Sequence, residues 1–309
     1  MERLDAMTAG RPLVSVMLPC FNSAATLPLA LASLAAQTLD DWECVGLDDG
    51  STDATWNVLT VAARRDPRIR IERFATNRGR GAARQRALQL ARGKYLAFQD
   101  ADDWSYPTRF ASEVGWLDRD DGIAAVSACA AITDEPDHLV GLMRPGGRTD
   151  LPVIEEFDRP RPPPFVFPSS MIRTDLAQAT GFDPAFRRSQ DSDFLIRALL
   201  GRRFALGAEV CYAYSQASAA TLERTIEGYK FRVRSHLRHV RDYPVDVALT
   251  VARTAIKGAA YRVAGFFGLD RKLIARRWEP ADDATRRGFE IALAAVRDAR
   301  DSIAIRTSS

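Results

Sequence analysis

Residues 95 to 107 read YLAFQDADDWSYP, an apolar run that ends in three carboxylates, Asp100, Asp102 and Asp103. A short apolar run between Gly93 and a polar cluster predicts a buried strand, and the ligands of α/β sheets collect just beyond the carboxyl ends of strands. Three carboxylates so close together repel one another, so a bound cation would stabilise their charged forms. The stretch therefore predicts a strand that ends in a metal site. The alternative is a solvated loop in which Asp103 caps the next helix.

Three similar strands precede this one, and a helix follows each of them. The predicted strands are Val14–Pro19, Glu43–Leu47 and Ile69–Phe74. The predicted helices run from a cap at Ser23 to about Gln37, from a cap at Ser51 or Asp53 to about Arg65, and from the loop Asn77–Gly81 to Gly93. Alternating strands and helices are typical of a parallel sheet with right-handed crossovers. We therefore predict an α/β fold with a mostly parallel sheet flanked by helices.

The chain beyond Pro107 has a less regular pattern. It predicts a helix to about Asp120 and then the strands Ile123–Ile132, Leu139–Arg144 and Val166–Ile172. The segment Arg159–Pro168 predicts an irregular loop, because proline lacks the N–H group that regular structure needs.

Asp191 and Asp193 lie at or just inside the start of a further predicted helix, after a turn at Gly181–Pro184. The apolar positions of this helix face a core, so Asp191 can point from the helix start toward a cleft. An aspartate at such a position can also act only as an N-cap for the backbone, which is the more frequent role for this spacing. Both roles stay open at this point.

The composition is that of an ordinary globular protein of one large domain or two, with 46% apolar and 27% charged residues among 309. Met1 to Arg11 lacks the apolar core of a signal peptide, and no long apolar stretch is free of charge, so we expect a cytoplasmic protein. The four cysteines lie far apart without a C-x-x-C pair, which favours reduced, buried thiols.

Basic charge is concentrated toward the C-terminus. The segment Thr221–Trp278 carries a net charge of +8, which leaves −5 for the rest of the chain. It contains a basic amphipathic helix and a second apolar segment, Val247–Leu269, that is too often interrupted by charge to span a bilayer. We expect these helices either to pack on the core or to make peripheral contact with the anionic inner face of the cell membrane.

Two common nucleotide-binding motifs are poorly matched. Gly79-Arg80-Gly81 imitates the start of G-x-G-x-x-G, but Arg84 stands in place of the third glycine and the tight strand-to-helix turn is missing. No G-x-x-x-x-G-K-[ST] loop occurs, which argues against a P-loop NTPase. Only four of the 43 basic residues are lysine, so no single arginine can be identified as a phosphate ligand from its residue type.

Five motifs in order, VSVMLPCFN, LDDGSTD, NRGRGAAR, YLAFQDADDWSYP and GFDPAFRRSQDSDFLIRAL, make the chain resemble the family 2 glycosyltransferases of GT-A, Rossmann-like fold. The resemblance covers roughly Leu13 to Leu206. It implies an enzyme that moves a sugar, with inversion, from a nucleotide-diphosphate donor to an acceptor hydroxyl, using Mg²⁺ or Mn²⁺. We expect a glycosyltransferase domain over residues 11–215 and a helical, basic region over residues 216–309.

The resemblance also implies roles for single residues. The nucleotide-binding residues would be Pro19, Phe21, Asn22, Asp49, Arg84 and Asp100. Phe21 stands where the family has tyrosine, so stacking on the base survives and a hydroxyl contact is lost. Asp102 would hold the metal ion, and Asp191 would be the catalytic base. The family usually has a Glu-Asp pair at this last position, and Gln190 in place of the glutamate removes one nearby charge.

The donor implied first is a UDP-sugar, and the acceptor a glycan, a lipid-linked sugar or another hydroxyl compound in bacterial cell-surface polysaccharide or glycoconjugate synthesis; no nucleic-acid partner is expected. Two alternatives stay open. A nucleotidyltransferase that makes sugar nucleotides would use a similar scaffold, although it should carry a glycine-rich basic loop after the first strand, where this chain has Phe21-Asn22-Ser23. The other alternative is a non-catalytic nucleotide-sugar-binding module at a membrane surface.

Overall fold

The computed structural model describes residues 10–215, 222–266 and 278–305, and its centre is a ten-stranded sheet with helices on both faces. The strands are β1 Val14–Cys20, β2 Trp42–Asp48, β3 Ile69–Arg73, β4 Tyr95–Phe98, β5 Trp104–Ser105, β6 Ile123–Glu135, β7 His138–Met143, β8 Val153–Glu156, β9 Ser170–Arg173 and β10 Arg203–Ser215. The helices are α1 Leu27–Ala35, α2 Thr55–Arg65, α3 Arg80–Leu90, α4 Arg109–Asp118, α5 Thr174–Thr180, α6 Gln190–Leu199, α7 Leu222–Leu237, α8 Pro244–Phe266 and α9 Asp283–Ile305.

The first four strands form the parallel half of the sheet, in the order β3-β2-β1-β4. Strands β1, β2 and β4 are almost wholly buried, as strands covered by helices on both faces must be. All four begin and end within about two residues of their predicted bounds. The α/β fold class is therefore confirmed, and the carboxyl ends of β1, β2 and β4 meet at one edge of the sheet.

The second half of the sheet is mixed rather than parallel. Strand β9 runs antiparallel between β4 and β6, β10 is parallel to β6, and β5, β7 and β8 are antiparallel to their neighbours. The predicted strand Val166–Ile172 begins only at Ser170, because Phe167–Ser169 forms a 3₁₀ turn. The segment 157–166 is irregular, as its prolines predicted.

Two predicted helix caps differ from the structure. Ser23 does not cap α1, because its carbonyl accepts the N–H groups of Thr26 and Leu27 in a turn that precedes the helix. The predicted cap at Ser51 or Asp53 also falls before the helix, which begins at Thr55. The Asp53 carboxylate nevertheless accepts the Thr55 N–H at 2.9 Å, so it does stabilise the helix start.

Helix α9 belongs to the core, while α7 and α8 pack on one another. Phe289 of α9 lies 5.3 Å from the ring of Trp104, and the side chain of Val296 is fully buried. Tyr229 of α7 and Tyr261 of α8 meet edge to face at 6.1 Å. The predicted basic segment Thr221–Trp278 is described over residues 222–266 and at Trp278, and the remainder of it lies outside the described residues. No described helix is long and apolar enough to cross a membrane.

All four cysteines are buried free thiols, as their spacing predicted. Glu43 on β2 is a buried carboxylate that accepts hydrogen bonds from Ser15, Arg70 and Arg92 at 2.7 to 3.0 Å. Burial alone would raise the pKa of Glu43, but the hydrogen bonds from Arg92, Ser15 and Arg70 bring it below its ordinary value.

Glu43→Gln is expected to destabilise the protein, because it removes the buried negative charge to which the partly exposed Arg70 and Arg92 guanidinium groups donate. The cost expected for a hydrogen bond to a charged group is about 1.5 to 3 kcal/mol. A lowered pKa in the folded state means that this stability is present above the unfolded pKa of about 4.3 and is lost as the pH falls below it. Urea unfolding should therefore show a large difference in the free energy of unfolding between variant and wild type at neutral pH. The difference should be small at about pH 3. Equal stability at neutral pH would contradict the prediction.

Candidate active site

Three loops meet at the carboxyl ends of β1, β2 and β3 and form one wall of a cleft. Gly50 in the loop after β2, with φ at +71°, lies against the backbone of the loop after β3, and a Cβ atom there would come within 2.6 Å of Thr76. Only glycine fits so close an approach. Asn22, also at positive φ, accepts the Thr52 N–H at 2.9 Å and donates its own N–H to Ser51. The LDDGSTD motif therefore fixes the shape of this wall.

The cleft has a volume of about 440 Å³ and opens beside the acidic loop. It is lined by six of the side chains predicted to act in the site, namely Pro19, Phe21, Asn22, Asp49, Asp100 and Asp102. Phe21 is 46% exposed, so an aromatic face is available at the cleft for a planar ring. A cleft of this size suits a small organic ligand.

The three carboxylates of the acidic loop converge as the sequence predicted. Asp100, Asp102 and Asp103 each offer an oxygen atom within 4.8 Å of the others. Burial and the charge of Asp100 raise the pKa of Asp102, and burial raises the pKa of Asp103 well above its usual range. Asp103 Oδ1 accepts the Ser215 N–H at 2.8 Å. The N-cap of the next helix, α4, is Thr108, so Asp103 does not cap it. The oxygen-rich donor set of the three carboxylates fits a divalent cation such as Mg²⁺ or Mn²⁺.

Two arginines of α3 face this acidic loop. Arg84 is buried, and its Nη2 atom donates to Asp100 Oδ1 at 3.0 Å. Burial would raise the pKa of Asp100, but the charges of Arg84 and Arg80 lower it below its ordinary value. Arg80 lines the cleft itself, and Asp100 contributes most to the rise in its pKa. Arg84 thus contacts Asp100 rather than lining the cleft, and Arg80 is a cleft residue that the sequence analysis did not identify.

Asp49 holds the loop that leads into α3. Its two oxygens accept the backbone N–H groups of Arg78 at 2.7 Å and Gly79 at 2.9 Å. Burial nevertheless raises the pKa of Asp49 above its ordinary value. Each carboxylate oxygen has a second lone pair, so Asp49 can still accept a hydrogen bond from a ligand in the cleft.

Polar side chains of neighbouring elements hold the acidic loop in place. The Tyr212 hydroxyl on β10 accepts the Asp100 N–H at 3.0 Å, and the Arg109 guanidinium stacks on the Tyr212 ring at 4.9 Å. On the other side, Thr26 donates to the Ala101 carbonyl at 2.8 Å. Tyr212 and Thr26 are far from the loop in sequence, so the motifs gave no sign of these contacts.

Asp191 and Asp193 both lie in the first turn of α6, but they differ in burial and in ion pairing. Asp193 is buried and forms ion pairs with Arg197 at 2.9 Å and Arg238 at 3.5 Å. Asp191 is half-buried and accepts only the Ser192 N–H among the described hydrogen bonds. The N-cap of α6 is Ser189, so Asp191 does not have the N-cap role that its spacing favoured.

Asp191 does not line the cleft, but it faces the same region. After Asp100, Asp102 and Tyr214, its charge is a further cause of the raised pKa of Arg80. The structure therefore brings together every site residue predicted from the sequence except Asp191, which approaches the cleft from the α6 side, and Arg84, which acts through Asp100.

Relatives with curated descriptions match part of the chain. An uncharacterized glycosyltransferase of Methanocaldococcus jannaschii is 28% identical over 191 residues, which are 61% of this chain and 65% of that protein. The succinoglycan biosynthesis protein ExoU of Rhizobium meliloti is 36% identical over 131 residues, 41% of this chain and 38% of that protein. The UDP-Glc:alpha-D-GlcNAc-diphosphoundecaprenol beta-1,3-glucosyltransferase WfaP of Escherichia coli is 31% identical over 106 residues, 34% and 41% of the two chains. This chain thus spans less than two thirds of each relative.

Solved structures share the fold over nearly the whole chain. S. aureus TarS 1-349 superposes with a TM-score of 0.59 at 18% identity, covering 96% of this chain and 92% of that one. The mannosyltransferase PcManGT from Pyrobaculum calidifontis, in complex with GDP-Man and Mn²⁺, gives a TM-score of 0.58 at 20% identity over 94% and 86%. Because the sequence identities are this low, these superpositions show only a shared fold, which is the GT-A architecture.

The family-level match covers the residues that build the cleft. A model described as glycosyl transferase family 2 matches residues 15–188, which include β1, the LDDGSTD loop and the acidic loop after β4. These residues are more than half of the chain, and they contain every predicted site residue except Asp191. The chain therefore belongs to glycosyl transferase family 2.

Proposed function

We propose that this glycosyltransferase moves a sugar from a nucleotide-diphosphate sugar to an acceptor hydroxyl, with inversion and with a divalent cation. The observation that carries the proposal is the cleft at the carboxyl ends of the parallel strands. There, three carboxylates lie within 4.8 Å of one another, beside the exposed ring of Phe21 and the buried Asp49. An aromatic face, a hydrogen-bond acceptor and a carboxylate cluster match the base, the sugar hydroxyls and the metal-bound diphosphate of such a donor.

Each cleft residue has a role that follows from its chemistry. Phe21 would stack on the base, Asp49 would accept a hydrogen bond from the base edge, and Asp100 would accept one from a ribose hydroxyl. Arg84 would keep Asp100 ionised and oriented through their ion pair. Asp102, joined by Asp103, would hold Mg²⁺ or Mn²⁺, and the bound cation would supply charge stabilisation for the leaving diphosphate. Arg80 is a second positive charge at the same cleft.

Inversion requires a base on the far side of the sugar from the leaving group. Asp191 suits this role because it is partly exposed, free of arginine partners among the described ion pairs, and close to the charge of Arg80. It would accept the proton of the acceptor hydroxyl as the new glycosidic bond forms. Its neighbour Asp193 is buried and paired with two arginines, so its oxygens are not available to an acceptor hydroxyl.

Relatives support a UDP-sugar donor and a role in bacterial polysaccharide or glycoconjugate synthesis. The name of the E. coli relative specifies a UDP-glucose donor and a lipid diphosphate-linked acceptor, and that of the R. meliloti relative specifies succinoglycan biosynthesis. One similar fold was solved with UDP-GlcNAc, and another with GDP-Man. We therefore propose a UDP-sugar as the first candidate for the donor and a GDP-sugar as the second.

A ligand screen tests this proposal. UDP-sugars or GDP-sugars should raise the melting temperature only when Mg²⁺ or Mn²⁺ is present, by an amount that grows with ligand concentration. Slow release of free nucleoside diphosphate in the same mixtures would report donor hydrolysis. Stabilisation by nucleoside triphosphates with pyrophosphate release from a sugar phosphate would instead establish the nucleotidyltransferase alternative. Donor binding without any turnover on added acceptors would favour the non-catalytic module.

A further inference from the structure

One face of helix α8 is covered by the protein, and the opposite face is exposed. The covered face consists of Val247, Thr250, Thr254 and Gly258, which are buried at helical spacing. It lies toward α7, where Tyr261 meets Tyr229 and a Cβ on Gly258 would touch the same Tyr229 ring at 3.6 Å. The contact between α7 and α8 therefore leaves the other face of α8 unused.

The opposite face is an apolar stripe along the helix. Val245, Leu249, Ile256 and Val263 are between 49% and 69% exposed. Their spacing of four, seven and seven residues keeps them on one side of a helix, and exposed alanines at 252, 259 and 260 fill the gaps. From Val245 to Val263 this stripe runs for roughly 27 Å at about 1.5 Å per residue. Exposed apolar surface that is continuous over such a length marks an interaction site.

Basic side chains border this stripe on both sides. At 100° per residue, Arg253 lies beside one edge of the stripe, while Lys257 on that side and Arg262 on the other lie further round the helix, between the stripe and the covered face; all three are exposed. None of the three forms an ion pair with any described carboxylate. The only acidic residue of α8 is Asp246, which is half-buried at its first turn and lies 3.7 Å from Arg159. The outer side of α8 therefore combines apolar area with uncompensated positive charge.

We propose that this outer side of α8 binds the surface of an anionic lipid bilayer, with the stripe at the level of the acyl chains and the three basic residues at the headgroups. A flat apolar stripe bordered by lysine and arginine is what a helix lying in the plane of the interface requires. Attraction to anionic lipid adds the second signal that stable but reversible attachment needs. The helix lies on the membrane and does not cross it, in keeping with the absence of any spanning helix among the described residues.

Contacts through α7 connect this surface to the candidate site. Ser189, the N-cap of α6, donates from its hydroxyl to the Gly228 carbonyl of α7 at 3.1 Å, and Arg188 pairs with Glu227 at 3.1 Å. Arg238 at the end of α7 lies 3.5 Å from Asp193 in the first turn of α6. A bilayer bound by α8 would therefore hold a fixed orientation relative to the helix that carries Asp191.

Vesicle co-sedimentation of the full chain tests the proposal, and its readout is independent of sugar transfer. The probe is a vesicle of phosphatidylcholine with phosphatidylglycerol, compared with phosphatidylcholine alone. Binding should be strong at roughly 0.01 M salt and lost near 1 M, where the Debye length falls from about 30 Å to about 3 Å. Replacing Arg253, Lys257 and Arg262 by glutamine should weaken binding by roughly fivefold per charge.

The stripe has a matched control on another helix. Ile256→Ser removes an apolar side chain that is 69% exposed, and Ile291→Ser removes one on α9 that is 72% exposed. Neither change opens the core, so both variants should fold. Ile256→Ser should weaken vesicle binding and Ile291→Ser should not. Likewise, Arg253→Gln should weaken it, whereas Arg286→Gln, which removes an exposed arginine of α9, should not.

Three results would overturn the proposal. The first is no binding to anionic vesicles even at low salt. The second is equal binding by the Ile256 and Ile291 variants. The third is a dimer in sedimentation equilibrium that Ile256→Ser dissociates, because a second copy of the chain would then cover the stripe.

Discussion

Asp102→Ala is expected to abolish metal-dependent donor binding and to lower sugar transfer by on the order of 10² to 10³ or more, the loss typical of one electrostatic stabiliser. Asp102 is the most exposed of the three clustered carboxylates and lines the cleft, so it is the one best placed to bridge protein and ligand. Its removal leaves Asp100 engaged by Arg84 and Asp103 by the Ser215 N–H. The two remaining carboxylates would then offer too few free oxygens to bind the cation.

The measurement is isothermal titration of Mn²⁺ and of a UDP-sugar into wild type and variant, together with the transfer rate in excess chelator. Asp102→Asn is the companion variant, because it keeps the size of the side chain and removes only its charge. Asp121→Ala is the matched control, since it removes a carboxylate that is 97% exposed and that precedes β6, at the edge of the sheet opposite the acidic loop. Full turnover in chelator, or unchanged Mn²⁺ affinity in Asp102→Ala, would rule out the assigned role.

The parallel half of the fold was predictable because its central strands β1, β2 and β4 are short, largely apolar runs with a clear stop. Val14–Cys20 ends at a proline and polar residues, and Tyr95–Phe98 ends at the acidic loop. Local pattern also predicted the convergence of the acids, since parallel strands place their carboxyl ends at one edge.

The other half depended on long-range packing that local pattern does not encode. Strand β10, residues 203–215, was not predicted, because Gly207 and Glu209 interrupt its apolar alternation where bulges shift its register against β6. With β10 unassigned, the contact between Tyr212 and Asp100 could not be foreseen. Arg80 was missed for a different reason: in a chain with 39 arginines, residue type alone does not single out the one that faces the acidic loop.

Asp191→Asn is expected to reduce transfer by at least about 10² to 10⁴ while donor binding persists, because asparagine keeps the shape and the hydrogen bond to the Ser192 N–H but cannot accept a proton. The N-cap of α6 is Ser189, so the fold loses only a favourable charge at a helix start, worth about 0.3 to 1 kcal/mol. Titration of a UDP-sugar and Mn²⁺ should give unchanged affinity, whereas the transfer rate to an acceptor should collapse.

Asp193→Asn is the matched control in the same helical turn, and it should show the opposite pattern. Asp193 is buried between Arg197 and Arg238, so loss of its charge should lower the melting temperature and loosen the contact with α7. Transfer by the folded fraction should be reduced far less than in Asp191→Asn. The transfer rate and the melting temperature therefore distinguish a general base from a structural ion pair. Near-normal transfer by Asp191→Asn would show that Asp191 is not the base. Because both oxygens of Asp193 are paired with arginines, the base would then have to come from outside α6.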